Sequence, residues 1–303
     1  MKRRRLFAAR NEWPCVFALV LIFISPGPID GKADCGVPSV SFLSHLVDLT
    51  PETWPWIGSL RNNVNEHICT AVLISSNTAV STASCFDYEN LVEFLDLPAV
   101  AIFGSADKRL VYTSYQHAST FDVTLHPGHN MYAGLEHDIA ILQLHKPVEE
   151  FTSYVSPICV NSQEKEEEVF THCKLAGWGW ADDLIMPDDL QSTSVSITSH
   201  NICVNIYGVF DKQSFLCVEP SSKICSNDPG SPLMCKSHDG RWTLVGLSSY
   251  ETEHCDFRPV GYTRISSYVN FIQANEAAST RCTLLAVHVV TLLLISGLKL
   301  ITS

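Results

Sequence analysis

Cysteine is the side chain whose number and spacing first constrain the chemistry of this sequence. Twelve cysteines lie spread along the chain without a pair of Cys-x-x-Cys knuckles, which suits disulfides better than a zinc site or a cytosolic redox pair. Hydroxyl, imidazole and carboxylate groups of the kind that together cleave acyl bonds are also present. They include Ser84 beside Cys85, the His137-Asp138 dipeptide, and Ser226 and Ser231 on either side of an Asn-Asp-Pro-Gly stretch. Whether such groups meet depends on the elements that carry them. Lysine plus arginine number 20 against 32 acids, a formal charge of −12, and bases cluster only in the first ten residues. A phosphate backbone therefore finds no track to follow, and nucleic acid is excluded as a partner class. With 46% hydrophobic and 17% charged residues the chain is rich enough in apolar surface to fold.

Disulfides require export, and the start of the chain reads as an export signal. Lys2, Arg3, Arg4, Arg5 and Arg10 form a positive region ahead of an apolar run from Cys15 to Ser25, too short to span a bilayer. A signal peptide over residues 1–33, cut after Ala33, leaves 14 bases against 30 acids, a formal −16 that favours basic ligands. At the other end, residues 284–301 form an apolar tail interrupted by His288 and Lys299. Such a tail behind small residues is the signal for a glycolipid (GPI) anchor, with Asn275 as a candidate attachment site, a transmembrane helix, or a tail packed on a soluble protein. The first two put the domain on a membrane, facing out of the cell, and the third leaves it secreted.

Between the ends, residues 34–279 read as one unit without repeats or a Pro/Gly-rich hinge, and the acidic run Glu164 to Glu168 reads as a solvated loop. Short β-rich runs dominate: Thr70–Ile74, Leu110–Tyr115, Ile139–Leu144, Lys174–Trp178 and Trp242–Ser248. An all-β domain is expected. Its end departs from the pattern, because Ile265, Tyr268, Val269 and Ile272 share one helical face, with Ser266 or Ser267 as the cap.

These elements carry a family resemblance. Trp54-Pro55-Trp56, Cys69 with Thr82-Ala83-Ser84-Cys85, and His137-Asp138-Ile139-Ala140-Ile141-Leu142 resemble the first half of a chymotrypsin/trypsin-like serine protease of the S1 family. Cys173 with Ala176-Gly177-Trp178-Gly179, Asn227-Asp228-Pro229-Gly230-Ser231-Pro232-Leu233, and Tyr262-Thr263-Arg264 resemble the second half, in the family's order. The resemblance covers roughly residues 35–275 and implies two packed antiparallel β-barrels with a C-terminal helix. It also implies five bridges: Cys35–Cys159, Cys69–Cys85, Cys173–Cys235, Cys203–Cys217 and Cys225–Cys255. Cys15 and Cys282 are left outside the domain. No ligand set for a metal then remains, the scattered histidines, His126 and His129 among them, read as surface residues, and no cofactor is expected.

Against the family pattern the catalytic positions are altered. Asp138 stands where the orienting carboxylate belongs, but the histidine position holds Ser84 and the nucleophile position holds Pro229. A serine hydroxyl is no base near neutral pH. Proline lacks both a hydroxyl and the backbone N–H that serves as one oxyanion donor, and the residue of the second donor is Asn227 in place of glycine. Losing nucleophile or base costs on the order of 10⁶ in rate. No lysine or arginine occurs from Ala33 to Leu60, so tryptic-type activation ahead of Phe42-Leu43-Ser44-His45 is excluded. Asp228 then needs another partner than a freed ammonium, or solvent, and a zymogen-like loop is expected around it. Lys223 stands at the pocket floor and Glu251 and Val260 replace two wall glycines, a partly filled cleft across which a Lys223–Glu251 ion pair is a hypothesis. His67, ahead of Cys69, is expected in a different part of the barrel from Ser226 and Ser231.

The resemblance, with these departures, implies a catalytically inactive homologue that works by binding protein: an active protease, an inhibitor or a cell-surface receptor. Membrane-anchored inactive members of the family are typical of testis and sperm. The opposing expectation is an active serine-type endopeptidase with a relocated nucleophile or base.

Overall fold

The computed structural model describes residues 35–38, 54–86, 98–109, 116–130, 136–162, 170, 172–179, 187–207, 213–219, 228–250 and 259–277. The chain divides into Lys32–Ile272 and a second unit made of the two ends, Met1–Gly31 with Gln273–Ser303. Of the second unit only residues 273–277, helical, are described. The export signal and the apolar tail therefore lie outside the described residues.

Seven strands build the first sheet: β1 (Ile57–Arg61), β2 (His67–Leu73), β3 (Thr78–Ser81), β4 (Val100–Phe103), β5 (His117–Ser119), β6 (Phe121–Leu125) and β7 (Ala140–Leu144). Their order is β5-β4-β1-β2-β3-β7-β6, with every pairing antiparallel. The second sheet holds β8 (Cys159–Val160), β9 (Cys173–Gly177), β10 (Gln191–Val195), β11 (Ile197–Thr198), β12 (Phe215–Val218), β13 (Pro232–Lys236), β14 (Trp242–Tyr250) and β15 (Val260–Arg264). It runs β10-β9-β13-β14-β15-β12-β11, antiparallel, with β8 added to β14 in parallel. Each sheet curls into a half-barrel. β1 and β3 are buried along their whole length, so β3 reads as a continuous run of apolar or small residues instead of an alternating one, and β1 does so up to its buried Arg61.

Tryptophans join the two sheets. Trp54 and Trp56 meet edge to face at 6.0 Å, Trp54 meets Trp242 at 5.1 Å, and the Trp56 indole N–H donates to Met234 Sδ. Four of the five expected bridges are present, Cys35–Cys159, Cys69–Cys85, Cys173–Cys235 and Cys203–Cys217. Cys225 and Cys255 lie outside the described residues, as does the expected strand Leu110–Tyr115.

Two expectations need correction. The closing helix begins with a 3-10 turn at Ile265–Tyr268 whose N-cap position is Arg264, without a side-chain cap, and continues as α-helix over 269–277. Neither Ser266 nor Ser267 caps it, because Ile265 must enter the core and pulls the first turn forward; the Ser267 hydroxyl donates instead to the Gln213 carbonyl. A further helix, His200–Tyr207, also stands in the second half. Its isoleucines and valine favour strands, but the Cys203–Cys217 bridge ties it to β12.

Candidate functional site

Asp138 lies just ahead of β7, after a tight turn in which His137 takes a φ of 51° and the Ile139 N–H donates to the His137 carbonyl. Its buried carboxylate reaches the 3-10 turn Ala83–Phe86, which the Cys69–Cys85 bridge ties to β2. There the Ser84 N–H donates at 2.7 Å and the Ser84 hydroxyl at 3.0 Å. From the second sheet the Ser249 hydroxyl donates at 2.6 Å, and Thr263 Oγ1 donates to the Asp138 main-chain carbonyl at 2.9 Å. Ser249 can do this because the β14–β15 register slips between Ser248 and Tyr250, and a bulge of this kind re-aims a side chain. Burial raises the Asp138 pKa, and the Ser249 and Ser84 hydrogen bonds offset this only in part. The donors at its carboxylate are neutral groups that do not accept a proton near neutral pH.

Pro229 occupies a turn built for it. The Ser231 N–H donates to the Asp228 carbonyl at 3.1 Å, with Pro229 and Gly230 between them and Gly230 at a φ of 83°. Proline followed by a positive-φ glycine is the chemistry of a type II turn. The turn is sewn to the first sheet, since the Thr70 N–H donates to the Pro229 carbonyl at 2.9 Å. Cys85 Sγ lies 3.8 Å from that same carbonyl oxygen, so positions 84, 138 and 229 converge on one seam between the sheets.

The same turn directs Asp228 into the interior. Its buried carboxylate accepts hydrogen bonds from the Trp178 N–H at 2.6 Å and the Thr70 hydroxyl at 2.7 Å, and lies 3.3 Å from His67 Nε2. His67 Nδ1 lies 2.9 Å from the Ser59 hydroxyl, and the ring packs at 5.1 Å from Trp178. Burial alone would raise the Asp228 pKa, but the His67 hydrogen bond and charge, with Thr70 and Trp178, outweigh it and hold the carboxyl below its ordinary value. His67 is thus not remote from this turn, as its place before Cys69 suggests. Antiparallel pairing of β2 with β1 carries it to the seam. Ser249, Thr70 and Trp178 are site residues that sequence reading passed over. Trp178 had a signal, standing within the Ala-Gly-Trp-Gly motif; Ser249 had none without the bulge.

The Ser231 hydroxyl is buried and has no hydrogen-bond partner among the described residues. Val260 is buried in β15 within the apolar cluster that includes Leu216, Val218 and Val245. Asn275 sits half-buried on the closing helix. Asn227, Lys223 and Glu251, and with them the Lys223–Glu251 pair, lie outside the described residues. His126 and His129 are half-buried, less open than surface residues are expected to be; the described residues between β6 and β7 pack His126 against His137 and the closing helix.

Residues 47–272 match the family described as Trypsin. The chain belongs to the trypsin family. Among its trypsin-family relatives are atrial natriuretic peptide-converting enzyme of Homo sapiens, 30% identical over 257 residues, and that of Mus musculus, 30% identical over 255. Another is transmembrane protease serine 9 of Rattus norvegicus, 30% identical over 252 residues. Each alignment covers 80% of this chain but 24%, 22% and 23% of the respective relative, so the chain spans about a quarter of their length.

Proposed function

We propose that this chain is a non-catalytic member of the trypsin family, acting by protein binding at the outer face of a membrane or within the secretory pathway, as a decoy, a regulator of an active protease or an adhesion module. One observation carries the reading. At the seam where the family performs acyl transfer, the Asp138 carboxylate is occupied by the Ser84 N–H and by the hydroxyls of Ser84 and Ser249, and the opposing turn presents Pro229. Serine cannot draw a proton from an attacking hydroxyl, and the proline has neither an attacking group nor an N–H for the oxyanion. The missing base or nucleophile alone removes about 10⁶ in rate, or about 8 kcal/mol.

The rival reading, a relocated endopeptidase centre, would draw on His67 and Ser231. His67 already has Asp228 on one nitrogen and the fully buried Ser59 on the other, and Ser231 is buried. The His67 nitrogens are both engaged, and Ser231 presents no accessible hydroxyl to a peptide. The acidic net charge of −12 favours a partner with basic patches, and relatives named as transmembrane or peptide-converting proteases are in keeping with a secretory location.

The test is a fluorophosphonate probe together with a broad peptide library applied to the full secreted chain. No covalent labelling and no turnover are expected. Labelling or cleavage that disappears in a Ser231→Ala variant would overturn the proposal. Proximity labelling on the native cell surface then identifies the partner.

A further inference from the structure

We infer that His126 and His137 form a pH-sensitive clamp that holds the closing helix against the first sheet near neutral pH and loosens it on mild acidification. The two imidazoles stack with centroids 4.6 Å apart and planes 27° apart. Tyr268 meets both edge-on, at 5.3 and 5.9 Å, its hydroxyl lies 3.1 Å from His137 Nδ1, and Phe271 meets His126 edge-on at 4.9 Å. Four rings from the β6–β7 loop and the helix thus make one contact.

Protonation works against this contact in three ways. The Gly128 N–H donates to His126 Nδ1 at 3.1 Å, which fixes the neutral tautomer; a proton on Nδ1 would set donor against donor. The Gly128 backbone also lies against the His137 ring, since a Cβ there would come within 2.7 Å of His137 Cδ2, so its N–H has no room to draw back on that side. A charged His126 would, moreover, stand over another imidazole in a half-buried aromatic contact. Among the described residues, the titratable groups acting on His126 are His137 and His129, and on the helix side the Tyr268 phenol. Residues 131–135, Met-Tyr-Ala-Gly-Leu, bring no charge. Glu136 offers its main-chain carbonyl to His129 Nδ1 while its side chain is exposed, and the Asp138 carboxylate is taken up by Ser84 and Ser249.

Burial first, then His137 and His129, lower the His126 pKa from 6.5. The folded state therefore binds fewer protons than the unfolded one, and stability is lost as pH falls from about 6.5 toward the folded value. His117 is shifted the same way but lies on β5, bonded to the Lys146 carbonyl, so a readout confined to the helix separates the two.

Hydrogen exchange of the full chain, corrected for intrinsic rates and compared at about pH 7.5 and about pH 5.5, tests the clamp. Peptides covering 265–272 are expected to lose roughly tenfold protection in the wild type, and His126→Phe, which keeps a ring without a proton site, to show no such loss. Unchanged wild-type protection, or an equal loss in His126→Phe, overturns the inference. Should that variant not be secreted, imidazole C2–H exchange of the wild type decides. A His126 midpoint below 6.5 that tracks helix exposure supports the clamp, and one at or above 6.5 refutes it.

Discussion

Asp138 and Asp228 are two buried carboxylates at one seam, and their pKa values are pushed in opposite directions by their nearest neighbours. Asp138 meets serine hydroxyls and a backbone N–H, so burial dominates and favours the protonated form. Asp228 meets an imidazole that can carry positive charge, so the ionised form is favoured despite equal burial. For Asp228 the stability is present above the unfolded value of 3.8 and is lost as pH falls through the lower folded value. Asp228→Asn should therefore flatten the acid limb of a plot of denaturation midpoint against pH. An acid limb as steep as the wild type's would show that His67, Thr70 and Trp178 do not favour the charged form.

Among the elements, the turn from Asp228 to Ser231 is the most constrained. Gly230 has a φ of 83°, and a Cβ there would come within 2.1 Å of the Thr70 carbonyl oxygen and 2.5 Å of Ser81 Oγ. Gly240, in the β13–β14 turn, has a φ of 81° but nothing within 4 Å of its added Cβ. Replacing each by alanine separates backbone strain from collision. Gly240→Ala should cost about 1 kcal/mol and Gly230→Ala at least ~2 kcal/mol more, read as urea unfolding free energies. Similar losses would mean that the turn can move away from β2. The bulge in β14 belongs to this scale too, because one extra residue decides that Ser249 reaches Asp138.

At the scale of the molecule, bridges and aromatic contacts join segments far apart in the chain. Cys35–Cys159 closes a separation of 124 residues and Cys203–Cys217 one of 14. If the bridges act on the unfolded ensemble, removing the first should cost about 4–5 kcal/mol and removing the second about 3 kcal/mol, measured with paired Cys→Ser variants in urea. The reverse order would place the stabilisation in native packing. The seam is likewise a property of the whole: Trp54 against Trp242, Thr70 against Pro229 and Asp138 against Ser249 all cross it.

The family motifs are short and contiguous, so the amino-acid order, read through the family resemblance, was enough for the fold and for the four bridges that the described residues contain. A motif can be recognised along the chain because it occupies one turn or one strand end, whereas the pairing of cysteines as far apart as Cys35 and Cys159 came from the resemblance. The partners of Asp228 were decided only in three dimensions: His67 is 161 residues away, and strand order together with a type II turn brings the two within 3.3 Å. The stack of His126 on His137 under Tyr268 depends in the same way on where a loop and the last helix meet, a juxtaposition that no periodicity along the chain records.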